Sequence, residues 1–194
     1  MNQSRPNVIF ARPTSLKEFL LRNKVVFVAA VLAGIASAGM TFLSWGKFGD
    51  TGLSWNAFGV YTGERNDYFS TVGPPMGEFI NTGPGWTVLI ASIAATVALT
   101  GATRTRRLGL VAPVFALIAF VAVVACIVRP TLLMGELRDF LGAGADPERA
   151  FVNSAILIAE ASATGILLIC SVLLAITTIR QARRSSATDS GLDA

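Results

Sequence analysis

Four stretches of the chain are apolar over the length of a membrane crossing, and polar segments separate them. Residues 25–45 run 21 positions without a charged side chain, 86–102 run 17 and 110–128 run 19. A fourth, 160–179, begins at Glu160 and ends against Arg180. About 20 apolar residues rising 1.5 Å each cross a hydrocarbon core of about 30 Å. Each stretch is therefore predicted to be a membrane-spanning helix. Pro113 falls in the first turn of the third, where a missing N–H costs little.

The fourth helix is predicted to be longer than its span. Asp146-Pro147-Glu148 offers an acceptor at the N-cap, proline at the first helical position and an acid in the first turn. These cues predict one helix over 147–180. Counting back about 20 residues from Arg180 puts Glu160 at the opposite boundary, and the first turns then project roughly 20 Å beyond the lipid. At the other end of the chain, Ser15-Leu16-Lys17-Glu18 reads as a capping box. Residues 1–24 are predicted to form a polar arm and a short juxtamembrane helix that extends the first span. Ala36-Ser37-Ala38 resembles a signal-peptidase site, but the polar segment before it is long and the apolar run continues to Trp45, so a retained span is predicted.

Charge placement orients these helices. Arg5, Arg12, Lys17, Arg22 and Lys24 precede the first; Arg104, Arg106 and Arg107 join the second to the third; Arg180, Arg183 and Arg184 follow the fourth. Eleven of the 16 basic residues thus lie on one side, whereas the connections 46–85 and 129–150 hold the other five beside eight acids. Basic loops stay in the cytoplasm. Both termini, including the tail 181–194, are predicted to be cytoplasmic, and the chain is assigned to the cell membrane.

The two outer connections differ from disordered linkers. Residues 46–85 are rich in glycine but also carry Trp55, Phe58, Tyr61, Tyr68, Phe69 and Phe79, whereas disordered segments are poor in aromatics. This loop is predicted to fold onto the outer helix ends, bracketed by Trp45 and Trp86 at the interfacial level where indole is favoured. Trp45, Trp55, Tyr61 and Trp86 are the candidates for an outer-face interaction. Residues 129–150 place Leu132, Leu133, Met134, Leu137, Phe140 and Leu141 among Glu136, Arg138 and Asp139, the pattern of one amphipathic helix.

Composition agrees with lipid as solvent. Of 194 residues, 53% are hydrophobic and 14% charged, against about 25% charged in soluble domains. The net charge of +4 is explained by topology, so no nucleic-acid partner is expected. The absence of histidine removes the commonest general base and metal ligand. No catalytic, cofactor-binding or metal-ligating residue is assigned.

Glu160 is the ionisable residue of the predicted spans, and such residues are functional candidates by default. Arg129, at the end of the third span, is predicted to lie at the same depth, which predicts an Arg129–Glu160 ion pair. Ala30, Gly34 and Ala38, at four-residue spacing, form a candidate close helix contact; Ala155, Ala159 and Ala163 repeat the pattern. Cys126 and Cys170 lie at depths about 10 Å apart, beyond disulfide reach, and are expected to be buried inert thiols.

Phe42-Leu43-Ser44-Trp45 leaving a span, the glycine-rich outer loop with Trp55, and Gly83-Pro84-Gly85-Trp86 re-entering resemble small four-span membrane proteins of actinobacteria. That resemblance implies no catalytic residues. The layout is also similar to that of claudins, but loop 46–85 lacks that family's paired cysteines and Gly-Leu-Trp motif. The expected fold is all-α: a four-helix transmembrane bundle with a structured extracytoplasmic cap of loops and a short amphipathic helix. The expected function is non-catalytic, as an accessory or scaffolding subunit of a larger envelope or respiratory membrane complex, with the lipid bilayer and other membrane subunits as partners. The alternative is a small homo-oligomeric transporter or channel with Glu160 facing its interior.

Overall fold

The computed structural model describes residues 16–47, 52–64, 77–102, 105–134 and 152–189. Four long helices carry the architecture: α1 (Leu16–Met40), α2 (Gly83–Gly101), α3 (Arg106–Val128) and α4 (Ser154–Asp189). Three contain segments long and apolar enough to cross a membrane, Gly83–Gly101, Arg107–Val128 and Ser154–Arg180, while the apolar part of α1, Lys24–Met40, is shorter at 17 residues. Contacts join α1 to α2, α2 to α3, α3 to α4, and α4 back to α1. Their apolar side chains point both ways. On α2, Trp86, Ile90, Ile93 and Val97 are exposed at three- and four-residue spacing while Val88, Ala91, Ala95 and Leu99 are buried. Such an outward apolar stripe is suited to lipid.

Two predicted boundaries need correction. The first helix ends at Met40 and does not continue to residue 45: Phe42 and Leu43 donate to the carbonyls of Gly39 and Met40, closing turns at 3.2 and 3.0 Å. The chain then enters strand β1 (Ser44–Lys47), which pairs antiparallel with β2 (Ser54–Asn56). The fourth helix begins at Ser154, not at 147, because Val152 bridges Gly46 and the Asn153 N–H donates to the Trp45 carbonyl at 2.8 Å. Val152 and Asn153 are held by the cap and stand outside the helix. Asp146-Pro147-Glu148 and most of the predicted amphipathic helix lie outside the described residues; 131–134 are helical, with Leu133 and Met134 buried.

The small hairpin is the centre of a cap at one end of the helices. Its register shifts between Ser44 and Gly46, a bulge that leaves Trp45 out of the β2 ladder and free to bond elsewhere. The Trp45 carbonyl takes the Asn153 bond, while its indole N–H donates to the Met40 carbonyl at 3.1 Å. That indole satisfies one of the carbonyls a helix C-terminus leaves open. The Ala57 N–H donates to the Thr41 carbonyl at 3.2 Å. Gly85, in the first turn of α2, sits so close to the Ala57 backbone that no Cβ would fit. Trp45, Trp55, Ala57, Val88, Cys126, Leu133 and Leu157 share one buried cluster. A second cluster, of Ala30, Ala33, Ala95, Ala98, Leu99, Ala112, Ala116 and Leu167, fills the helices farther from the cap.

Candidate functional site

Between those two apolar clusters lies a polar one. Ser37 on α1, Ser92 on α2 and Glu160 on α4 are each fully buried. Ser37 lies three residues before the end of α1, Glu160 six residues into α4 and Ser92 nine into α2. At 1.5 Å per residue they sit about 5, 9 and 13 Å from the cap ends of their helices. The residue one turn nearer the cap is in each case buried: Thr41, Val88 and Leu157. One turn farther from it, Ala33, Ala95 and Ala163 are buried too.

The Ser37 hydroxyl donates to Glu160 Oε1 at 2.5 Å. Its oxygen also lies 2.8 Å from the Ser92 hydroxyl. The second carboxyl oxygen, Glu160 Oε2, is buried with no hydrogen-bond partner. Thr164, one turn along α4, spends its hydroxyl on the Glu160 and Ala161 carbonyls at 2.9 and 3.2 Å and adds nothing to the carboxyl. Removing a charge from water without a counter-charge costs several kcal/mol. An unpartnered buried polar atom costs a further ~1–3 kcal/mol. A carboxyl held this way calls for a proton or another ligand on the bare oxygen.

The predicted Arg129–Glu160 ion pair does not form. Arg129 is exposed at the C-cap of α3, and neither carboxyl oxygen bonds to it. Glu160 stands six residues into α4 and is fully buried among the helices. Its carboxyl bonds Ser37 of α1, which in turn bonds Ser92 of α2.

The other candidates divide. Ala30 and Gly34 are buried and Ala38 half-buried; a Cβ on Gly34 would collide with Thr96 Oγ1, so this stripe lies at the α1–α2 contact. Ala155 and Ala159 are exposed. Trp45 and Trp55, at 0% and 1% exposure, are anchors of the cap and present no outer surface, whereas Trp86 is 50% exposed. Tyr61 is half-buried, packed edge-on against Trp55 with ring centroids 6.0 Å apart. Trp86 instead packs at a tilt against Phe58, centroids 4.8 Å apart, and Phe58 likewise against Phe42 at 5.2 Å. Cys126 and Cys170 are free thiols. A cavity of about 200 Å³ opens beside Cys126, Pro130, Val152 and Leu157; Leu157 stands one turn of α4 from Glu160.

Sequence reasoning found Glu160 but missed Ser37 and Ser92 as its companions. Ser37 shares the inward face of α1 with Ala30, Ala33 and Thr41, all buried. That spacing of small residues was the available signal. Comparison with protein-family models, with characterised proteins and with solved structures finds no match to this chain.

Proposed function

We propose that the chain is a four-span, non-catalytic protein of the cell membrane with cytoplasmic termini and an outer cap, and that it works as a proton-binding accessory subunit of a larger membrane complex. The observation that carries this reading is Glu160: fully enclosed, held by one hydroxyl, with Oε2 unbonded. A proton fits this place better than a metal ion. Hard cations such as calcium take about six or more oxygens, and only the carboxyl, Ser37 and Ser92 converge here. Lipid as the surrounding solvent is supported by three helices of spanning length, and the orientation by the clustering of basic residues.

The accessory role is favoured over the homo-oligomeric channel by two features. Glu160 faces the helices of its own chain, not an outer surface that a second copy could share. Beneath it the packing is mostly alanine and leucine, and the hydroxyls there, of Thr96, Thr164 and Ser171, are spent on carbonyls of their own helices. A hydrophobic carbodiimide tests the proton site, since it enters membranes and modifies protonated carboxyls. Glu160 should carry the adduct, labelling should fall as pH rises, and Glu160→Gln should abolish it. No adduct on Glu160 at acidic pH would overturn the assignment. Purification in mild detergent tests the partnership: a stoichiometric membrane partner is expected, and a solitary monomer counts against it.

A further inference from the structure

Resting on that reading, we infer that Glu160 exchanges its proton only with the compartment on the cap side, by parting of the cap from the ends of α1 and α4. The first ground is depth. Glu160 lies about 9 Å from the cap end of α4 but about 30 Å from Arg180 at the other end, at 1.5 Å per residue. The second is the nature of the two barriers. Toward Arg180 the barrier is helix packed on helix: Ala33, Ala95, Ala163 and Leu167 are buried, and Gly34 abuts Thr96. Toward the cap it is a two-stranded hairpin whose Trp45 and Trp55 pack in one cluster with Leu157 and Val88, joined to the helices through Asn153 to Trp45, Ala57 to Thr41, the Trp45 indole to Met40 and the Gly46–Val152 bridge. The cavity of about 200 Å³ on this side already reaches Leu157, one turn of α4 from Glu160.

The chemistry of opening follows from what surrounds the carboxyl. Among the described residues no other acid or base bonds it: α1 has none between Lys24 and Lys47, and α2 has none. On α3 the sole titratable side chain between Arg107 and Arg129 is Cys126, and on α4 between Glu160 and Arg180 it is Cys170. In the described cap the titratable side chains are Lys47, Tyr61, Glu64 and Glu78, and none is bonded to the carboxyl. Loss of the proton therefore leaves an isolated charge in a closed apolar setting, which only water can relieve. Water has the shortest way in through the cap. The protonated state is closed and the ionised state wet, so the site reports the acidity of one compartment.

Cysteine accessibility in sealed vesicles tests this. In a full-length chain with Cys126→Ala and Cys170→Ala, Ser37→Cys and Ser92→Cys are made separately, and Thr62→Cys marks the exposed cap. A membrane-impermeant methanethiosulfonate is applied to each face in turn. Rates at positions 37 and 92 are divided by the rate at position 62, which removes the intrinsic pH dependence of a thiol. Both buried positions should react only from the face on which position 62 reacts. The normalised rate should rise with the pH of that compartment, by at most about tenfold per unit for one titrating proton, and Glu160→Gln should flatten the profile. Reaction from the opposite face, reaction insensitive to pH, or none at either position overturns the one-sided opening. Carbodiimide labelling of Glu160 in the same vesicles separates the two failures: an adduct with the wrong sidedness defeats this inference alone, and absence of an adduct defeats the proton site itself.

Discussion

Asn153 and Trp45 are joined by one hydrogen bond of 2.8 Å, from the backbone N–H that precedes α4 to the carbonyl of the bulged residue in β1. It is the point at which the late part of the chain fastens the cap that follows α1. Asn153→Pro removes this donor, and Val152 is already in the extended conformation that proline demands of its predecessor. The variant should fold, lose about 1 kcal/mol, and exchange the amide hydrogens of Ser44–Lys47 faster. Unchanged exchange there would show that the cap is held elsewhere.

Ser37 is the sole hydrogen-bond donor found on the Glu160 carboxyl among the described residues. Ser37→Ala should cost about 1–3 kcal/mol in thermal unfolding in detergent, the penalty for stripping a buried polar group of its partner. Replacing both partners by apolar groups of similar shape is close to neutral. Ser37→Ala combined with Glu160→Leu should therefore recover most of the loss. Simple addition of two losses would mean that the pair does not act as a unit.

Gly34 and Thr96 mark a close approach of α1 to α2, where a Cβ on Gly34 would collide with Thr96 Oγ1. Thr96 Oγ1 is already tied to the Ser92 carbonyl at 2.8 Å, so it has no free rotamer in which to yield. Gly34→Ala should destabilise by roughly 1–3 kcal/mol through overpacking. Adding Thr96→Ala should restore stability by making room. A Gly34→Ala protein as stable as the original would place the two helices farther apart than described.

Trp86 tops the outward stripe of α2 and joins Phe58 and Phe42 in one exposed aromatic row. Aromatic side chains half in and half out of lipid are favoured at the boundary. Brominated lipids should quench Trp86 most strongly when bromine sits near the headgroups, while Trp45 and Trp55, enclosed in the cap, should respond weakly. Variants retaining one tryptophan each give the comparison. Equal quenching of all three would contradict the burial of the cap.

Much of this arrangement was legible from residue pattern. Hydropathy located α2 and α3 to within four residues at either end, because charged or turn-forming residues flank their apolar runs. It failed at the end of α1, since Phe42, Leu43 and Trp45 are as apolar as the helix before them and nothing local says that the backbone turns. It failed again at the start of α4, where Asn153 is held outside the helix by a bond to a residue more than a hundred positions away. The hairpin itself was missed, its strands being four and three residues long and without visible alternation. Glu160 stood out because it is charged among apolar neighbours. Its partner could not be read off, because depth along a helix does not say which neighbour a side chain faces.

The hydroxyls of the helix interiors carry one more consequence. Thr41, Thr87, Thr96, Thr100, Ser162, Thr164, Ser171, Thr177 and Thr178 each return their proton to a carbonyl three or four residues back on their own helix. Such groups are satisfied as soon as a helix exists and have nothing to gain from a neighbour. Ser37 and Ser92 bond instead across to other helices. When separate helices meet in a bilayer, where apolar contact discriminates poorly, these two and Glu160 are the groups that recognise a correct arrangement, and sliding any of the three helices by one turn leaves them unmatched. The same three side chains thus act as a registration key for assembly, fixing order and height among helices whose surfaces are otherwise interchangeable.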